Sequence, residues 1–570
     1  MYQQVLDPVG SSLLGSALVA AIPLVVLFVL LGALKVRAWL ASAISLVVAL
    51  IVAIAVYGMP VGQALLAGSE GAVFGFFPIL WIVINAIWIY SMTVQTGHFD
   101  VLRRSFSSIS NDQRIQAVII AFCFGALLEA LAGFGTPVAI TSVMLIALGF
   151  RPLKAATVAL VANTAPVAFG AVAVPITTLS TVTGLSVHDL GSTVGRQTPI
   201  LAIFVPLALV FIVDGRRAVR QVWPAALLCG VVFGVFQFLT SNFISVPLAD
   251  IVAALASALA VVAFLRVWQP AESYVEPVEE RESVAVGAGG HGPATGGAGS
   301  GDSGDSGSSG DLPIAADAPP ELPMNRAEIF KAYLPYLIVI VVFVLAQIPV
   351  ILSALDSVTQ LFSWPGLHLT SPAGKPLSSV TFKLNWLTAA GTLLLIAGII
   401  TALALKVSVS QAIRAYGKTL QQLTAAIATV MLVLGLAYVM NASGQTQTLG
   451  AWMAGAGGAF ALISPVLGWL GVAVTGSDTS SNSLFGALQI TAANQAGLDP
   501  TLMAAGNSSG GVLGKMISPQ NLAIAASAVG LAGQEGALFR KVLGWSLLFV
   551  VFMSVLVYLQ STPVLSWMVT

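Results

Sequence analysis

The sequence predicts an all-α polytopic membrane protein, built as inverted repeats with two re-entrant hairpins and two broken helices in the manner of an ion transporter. Three observations predict this. Only 8% of the 570 residues are charged and 57% are hydrophobic, whereas a soluble domain carries ~25% charge. Mean hydropathy is +0.95, so lipid must be the main solvent. Apolar runs of bilayer length recur along the chain, and two are split by glycine-rich or polar points that reappear in the second half at matched spacing.

A crossing helix needs ~20 apolar residues. That length is met near 12–34, 37–58, 72–95, 154–175, 197–214, 221–242 and 246–267, then near 331–352, 384–406, 421–441, 501–520 and 541–561, which makes twelve spans. The first run has no basic flank and no small-residue cleavage site, so it is expected to be retained. Regions 115–149 and 450–494 differ. The first is interrupted by Gly133-Phe-Gly-Thr-Pro137 and the second by Gly476-Ser-Asp-Thr-Ser-Ser-Asn482. The arms that follow, 136–149 and 480–494, are short for a full crossing, so both regions are expected to dip in and return. Such backbone is tolerated only where protein or a watery cavity surrounds it.

Positive charge sets orientation. With both termini outside, Arg196, Lys375 and Lys383 face outward and Lys515 lies within a span; the other 19 of the 23 Lys and Arg face the cytoplasm of a cell inner membrane. The first hairpin then opens inward and the second outward. Residues 269–325 are Gly/Ser-rich, acidic and proline-containing, which predicts a disordered cytoplasmic linker between repeat 1 (1–268, with an extra helix pair at 221–267) and repeat 2 (326–570).

The halves share a pattern. Asn163, Gly170 and Pro175 match Asn507, Gly514 and Pro519 at a constant offset of 344 positions. Gly133 to Thr136 mirrors Gly476 to Thr479, and each half has an amphipathic stretch, 60–70 or 408–420, before a span and its hairpin. The charge rule points the two halves in opposite directions. Inverted repeats with broken helices place a transporter's site at the midplane. There a helix break presents free N–H groups that attract a carboxylate, and small residues allow close approach.

At these motifs the chain resembles the lactate permease family. The stretches that carry the resemblance are Phe124-Gly-Ala-Leu-Leu-Glu129 through Gly-Phe-Gly-Thr-Pro-Val-Ala-Ile140, Asn163-Thr-Ala-Pro-Val-Ala-Phe-Gly170, Val194-Gly-Arg-Gln197 and Gly514-Lys-Met-Ile-Ser-Pro-Gln520. The similarity spans nearly the whole chain outside 269–325. It implies import of L-lactate, D-lactate or glycolate together with protons. Hydropathy and spacing alone lead only to a secondary transporter for a small anion.

Ionisable residues inside spans are costly and default to function. Glu129, four residues before the first tip, is the leading proton carrier; its plain alternative is a structural carboxylate. Asp478 in the second tip can carry the proton, cap the following helix or pair with Lys515. Lys515 suits a substrate carboxylate, and its alternative is snorkelling. Arg196 offers a bidentate grip or an interface anchor. Gly133, Gly135, Thr136, Asn163, Thr164, Thr479, Ser480, Asn507, Ser508 and Ser509 line the breaks and are expected to bind substrate, although such side chains also bridge helices. His188 reads as a surface residue.

Cys123 and Cys229 read as buried thiols, and no metal-ligand cluster appears. The 23 basic and 23 acidic residues leave no excess for nucleic acid. The expected partners are a small carboxylate and the bilayer, with a proton as coupling ion and no cofactor. Enzyme chemistry ranks last, since no nucleophile with a base is evident. A sodium-coupled carrier, suggested by the 477–482 tip, and an anion channel are the alternatives.

Overall fold

The computed structural model describes every residue except 1, 35, 108, 132, 134, 276–324, 347, 372–379, 532 and 533. Lys35, Lys375 and most of the expected linker therefore lie outside the described residues. Among the described residues the regular structure is helical apart from two short ladders, Tyr2–Gln3 parallel to Leu369–Thr370 and Gln360–Ser363 antiparallel to Thr381–Leu384.

Among the described residues, ten helices are long and apolar enough to cross a membrane, or eleven if the bent pair Pro152–Ala162 and Val167–Thr183, which meet at 65°, is one span. While other expected spans are corrected, 197–214 and 221–242 are both present, as the two halves of the 57-residue element Val187–Phe243 interrupted at Asp214 and Gly215. Its halves pack on each other so closely that a Cβ on Gly230 would sit 2.6 Å from the Ile203 carbonyl oxygen. The region 384–406 is helical only over Ala390–Ala404. The region 501–520 stops at Gly514 and restarts at Pro519, whose ring nitrogen cannot donate to a continuing ladder. Conversely, Gln113–Leu131 and Gln445–Thr475 are long enough to cross, and Asp478–Ala496, expected to be short, has 19 residues. The amphipathic stretch 60–70 begins Val61–Phe74, which runs on toward Gln95 past a non-helical Phe77. Phe77 precedes Pro78, and a residue before proline is pushed to extended backbone.

Three kinds of unit position the site, and they occur in the same order in each half. First comes a helical hairpin, Gln113–Leu131 with Thr136–Ala147, or Gln445–Thr475 with Asp478–Ala496. Next is a broken helix, Pro152–Ala162 with Gly170–Thr183, or Pro500–Gly514 with Pro519–Ala528. A long helix follows, Val187–Phe243 or Glu535–Gln560. The first hairpin closes at its mouth, where Gln113 Nε2 donates to the Leu148 carbonyl at 3.1 Å. Each hairpin's second arm packs on the outgoing half of the other broken helix, Thr136–Ala147 on Pro519–Ala528 and Asp478–Ala496 on Gly170–Thr183.

The helix ends gather into two faces. On one, Tyr2 Oη donates to the carbonyls of Tyr57 and Ser443 at 3.0 and 2.8 Å, and Thr448 Oγ1 donates to Leu6 O at 2.7 Å. The other carries a buried clamp. Arg114, fully buried, donates to both oxygens of Asp112 (Nε to Oδ1 at 3.0 Å, Nη2 to Oδ2 at 2.7 Å), to Gln221 and to the Glu272 carbonyl at 2.6 Å. Its guanidinium also lies 5.7 Å from the Tyr274 ring centroid. The mouth of the first hairpin is thereby tied to the 214–221 corner and to residues 272–274, so the start of the expected linker is held in place. Removing one partner of a buried pair costs about 3–5 kcal/mol, because the remaining charge is left uncompensated. Arg114→Met should therefore lower the detergent-solubilised melting temperature sharply. A melting curve matching the wild type would show that the clamp is dispensable.

Candidate functional site

The first break owes its shape to glycine. Gly133 and Gly135 have φ of 49° and 81°, values that L side chains resist. Beside them Glu129 is 3% exposed. Its Oε2 accepts from Asn163 Nδ2 at 3.0 Å, and its Oε1 from Lys515 Nζ at 2.5 Å. Hairpin, first broken helix and second broken helix thus converge on one carboxylate. A Cβ on Gly170 would come within 2.8 Å of Glu129 Oε1, so only glycine leaves room there. The next residues, Ala171, Val172 and Ala173, take left-handed φ of 45°, 59° and 59°. That conformation costs roughly 1–2 kcal/mol per residue, and such strain concentrates at functional sites.

The second centre is built on Asp478, also 3% exposed. Its Oδ2 accepts from Ser508 Oγ at 2.7 Å and Asn482 Nδ2 at 3.3 Å. Asn482 Nδ2 reaches the Pro175 carbonyl of the first broken helix at 3.1 Å. Asn507 Nδ2 donates to Asn482 Oδ1 at 2.9 Å, and Asn507 Oδ1 accepts from Gln489 Nε2 at 3.0 Å. Each hairpin carboxylate therefore takes a donor from the broken helix of its own half, Asn163 for Glu129 and Ser508 for Asp478. Asp478 Oδ1 and Asn163 Oδ1 are buried and have no partner among the described residues. These are open acceptor positions in a closed centre.

The candidate residues divide as follows. Lys515 forms its ion pair with Glu129 rather than Asp478. The cap of Asp478–Ala496 is Ser477, whose Oγ accepts from Ser480 N at 3.3 Å, so Asp478 is left to its side-chain partners. Thr136, Thr479 and Ser480 are buried at the tips. Thr164 Oγ1 donates back to Val161 O at 2.7 Å. Ser509 Oγ donates to Gln197 Oε1 at 2.6 Å. Arg196 stands apart, with Nε on Asn242 Oδ1 at 2.9 Å and Nη1 on the Met568 carbonyl at 3.1 Å. His188 is exposed.

Sequence reasoning passed over Asn482, Gln489, Gln197 and Asp250. Asn482 closes the tip motif, and Gln489 lies seven residues on, two helical turns along the same face. Asp250 is an ionisable residue inside an expected span, a signal that was available. Two apolar hollows of about 550 and 580 Å³, one lined by Leu66, Trp364 and Phe382 and the other by Trp81, Trp88 and Tyr416, touch none of the site's charged residues. Chemically, the centre holds one buried ammonium that a carboxylate already occupies, ringed by amides and hydroxyls.

The profile of the L-lactate permease family matches residues 16–564. An L-lactate permease of Bacillus subtilis is 40% identical over 100% of both chains, and one of Escherichia coli is likewise 40% identical over 100% of both. A glycolate permease of Escherichia coli is 40% identical over 96% of each. Among solved structures, the YdaH transporter of Alcanivorax borkumensis covers 86% of the chain at 16% identity and a TM-score of 0.40. A match along nearly the full length, with relatives at 40% identity end to end, leaves one assignment: this multi-pass membrane protein belongs to the L-lactate permease family.

Proposed function

We propose that the chain imports L-lactate and similar small 2-hydroxy monocarboxylates, D-lactate and glycolate among them, by proton symport across the cell inner membrane. Relatives named L-lactate permease and glycolate permease support the substrate class. The observation that carries the coupling is the buried pair between Lys515 and Glu129. An unpaired charge at this depth is costly. Lys515 can therefore accept a substrate carboxylate only when Glu129 has taken a proton. Before loading, the centre holds an ammonium and a carboxylate. After loading it holds a neutral Glu129 and an ammonium paired with lactate. Net charge is the same in both states, so proton and anion enter together.

In this reading Asn163, Asn507, Ser508, Thr479 and Ser480 meet the carboxylate and 2-hydroxyl, while Gly133, Gly135 and Thr136 let the backbone of the first tip come close. Asp478 is the second coupling carboxylate. Thr164 and Ser509 hold the broken helices in register, and Arg196 acts from the rim. The hairpins re-enter from opposite sides, and both termini face outward. The basic residues at the Arg114 face support that orientation by the positive-inside rule.

The test is uptake of labelled L-lactate into proteoliposomes, with imposed proton or sodium gradients and with glycolate, D-lactate and pyruvate as competitors. We expect accumulation that follows an inward proton gradient and is unchanged when choline replaces sodium at fixed pH. Dependence on sodium would move the coupling to that ion. Flux without accumulation above the gradient would make the protein a channel.

A further inference from the structure

We propose that Asp250 is a further proton-bearing residue beside Glu129 and Asp478, one that passes protons between the outer face and Glu129; this rests on the proton-symport reading above. Asp250 belongs to the helix pair that interrupts the repeat pattern, and no role has so far been given to that pair.

Asp250 lies in the first turn of Ala249–Phe264 and is 1% exposed. Its Oδ1 accepts from Gln237 Nε2 at 2.8 Å, and its Oδ2 is buried with no partner among the described residues. As a carboxylate it would be an uncompensated buried charge; as an acid it offers an O–H at Oδ2. Gln237 Oε1 in turn accepts from Thr198 Oγ1 at 3.2 Å. The neighbouring Gln197 holds Ser509 of the second broken helix at 2.6 Å.

Register sets Asp250 near the level of Glu129. Ala249–Phe264 packs against the hairpin arm that carries Glu129, and Ser257 Oγ meets Cys123 Sγ at 3.5 Å. From that contact, Asp250 lies seven residues back along one helix and Glu129 six residues forward along the other. At 1.5 Å per residue these are levels of about 10 and 9 Å, which coincide for antiparallel helices.

Other charges are turned away. On Val187–Phe243, Arg196 is engaged with Asn242 and Met568, the Asp189 side chain is exposed, and Arg216, Arg217 and Arg220 lie beyond the Gly215 corner. Arg114 sits at the far mouth of the hairpin arm, held by Asp112. Gly170–Thr183 carries no ionisable residue. No cation pairs with Asp250 among the described residues. The chain just before Asp250 reaches the protein surface at Phe243 and Ile244, 71% and 53% exposed, with Ile244 six residues from Asp250.

The step is a proton transfer. When Lys515 turns to substrate, the O–H bond at Asp250 Oδ2 breaks and one forms at Glu129. Water at the outer face then reprotonates Asp250.

Asp250→Asn tests this. Asparagine has the shape of the neutral acid and keeps an oxygen for Gln237, so a purely structural role survives the change. In proteoliposomes we expect lactate counterflow, which needs no net proton movement, to stay within about threefold of wild type. Uptake driven by a proton gradient, with the accompanying internal acidification, should fall at least tenfold, and Asp250→Glu should restore part of it. Unchanged gradient-driven uptake would overturn the proposal. So would loss of counterflow and uptake together in a variant that melts like wild type, because the residue would then serve binding or architecture. Failure of the wild-type protein to catalyse lactate counterflow would instead sink the functional reading.

Discussion

Glu129→Gln should uncouple the protein: gradient-driven lactate accumulation is lost, while lactate–lactate exchange continues. Glutamine has the size of a protonated glutamate and can keep the Asn163 contact seen at 3.0 Å, but it cannot compete for the ammonium now held at 2.5 Å. Lys515 is then free for substrate at every pH, so lactate affinity, which in the wild type weakens as pH rises, becomes flat. The partner change has the opposite signature. Lys515→Gln leaves Glu129 buried without its cation, and breaking a buried pair in this way costs about 3–5 kcal/mol. If that cost falls on binding, it corresponds to a loss of roughly 100- to 4,000-fold. The double variant removes both charges. It should regain the melting temperature lost in Lys515→Gln but not the lactate binding, and this non-additivity is diagnostic of groups in direct contact. Binding measured across pH, with exchange and accumulation assayed in proteoliposomes, checks all three variants. A Glu129→Gln protein that still concentrates lactate in response to a proton gradient would remove Glu129 from the coupling.

Much of this site was legible in the sequence because its elements carry local signals. The breaks announce themselves through residues with backbone demands. Gly133 and Gly135 take positive φ, and Pro519 ends a ladder. The pairing of Glu129 with Lys515, 386 positions apart, has no local signal, since it arises only when one half's hairpin packs on the other half's broken helix. For the same reason Lys515 was open to assignment with the nearer Asp478. Arg196 shows the converse failure. Its motif neighbours invited a role at the centre, yet the side chain leaves the helix on the face toward Asn242 and the chain end, and sequence spacing does not say which face of a long helix looks inward. The left-handed turn at Ala171–Ala173 had no signal, because alanine and valine do not favour it and only the surrounding packing holds it. Helix limits shifted where apolar composition ran on past the regular backbone, as at 384–406, which is helical only over Ala390–Ala404.

Gly468→Ala should unseat the second centre without touching any of its polar groups. Gly468 lies on Phe460–Thr475, against Pro500–Gly514. A Cβ built there would overlap the Asn507 carbonyl oxygen and sit 2.7 Å from its carbon and 3.0 Å from its Cα. The obstacle is backbone, so no rotamer change relieves it. The seam has the small-residue spacing that lets membrane helices touch: Gly506, Gly510 and Gly514 recur every four residues, and methyls on the last two would strike the carbonyls of Pro465 and Trp469. Forcing an extra methyl into such packing costs about 1–3 kcal/mol, occasionally more, and here the arms must part by more than an ångström. Asp478 begins the helix that follows Phe460–Thr475 and accepts from Ser508 of Pro500–Gly514 at 2.7 Å, so a shift of Pro500–Gly514 away from Gly468 pulls on that hydrogen bond. Gly468→Ala should therefore melt well below wild type in detergent and lose lactate binding, whereas Gly544→Ala, where a Cβ meets nothing within 4 Å, should behave as wild type. Equal melting and binding for the two alanine variants would mean that the seam can open without disturbing Asp478.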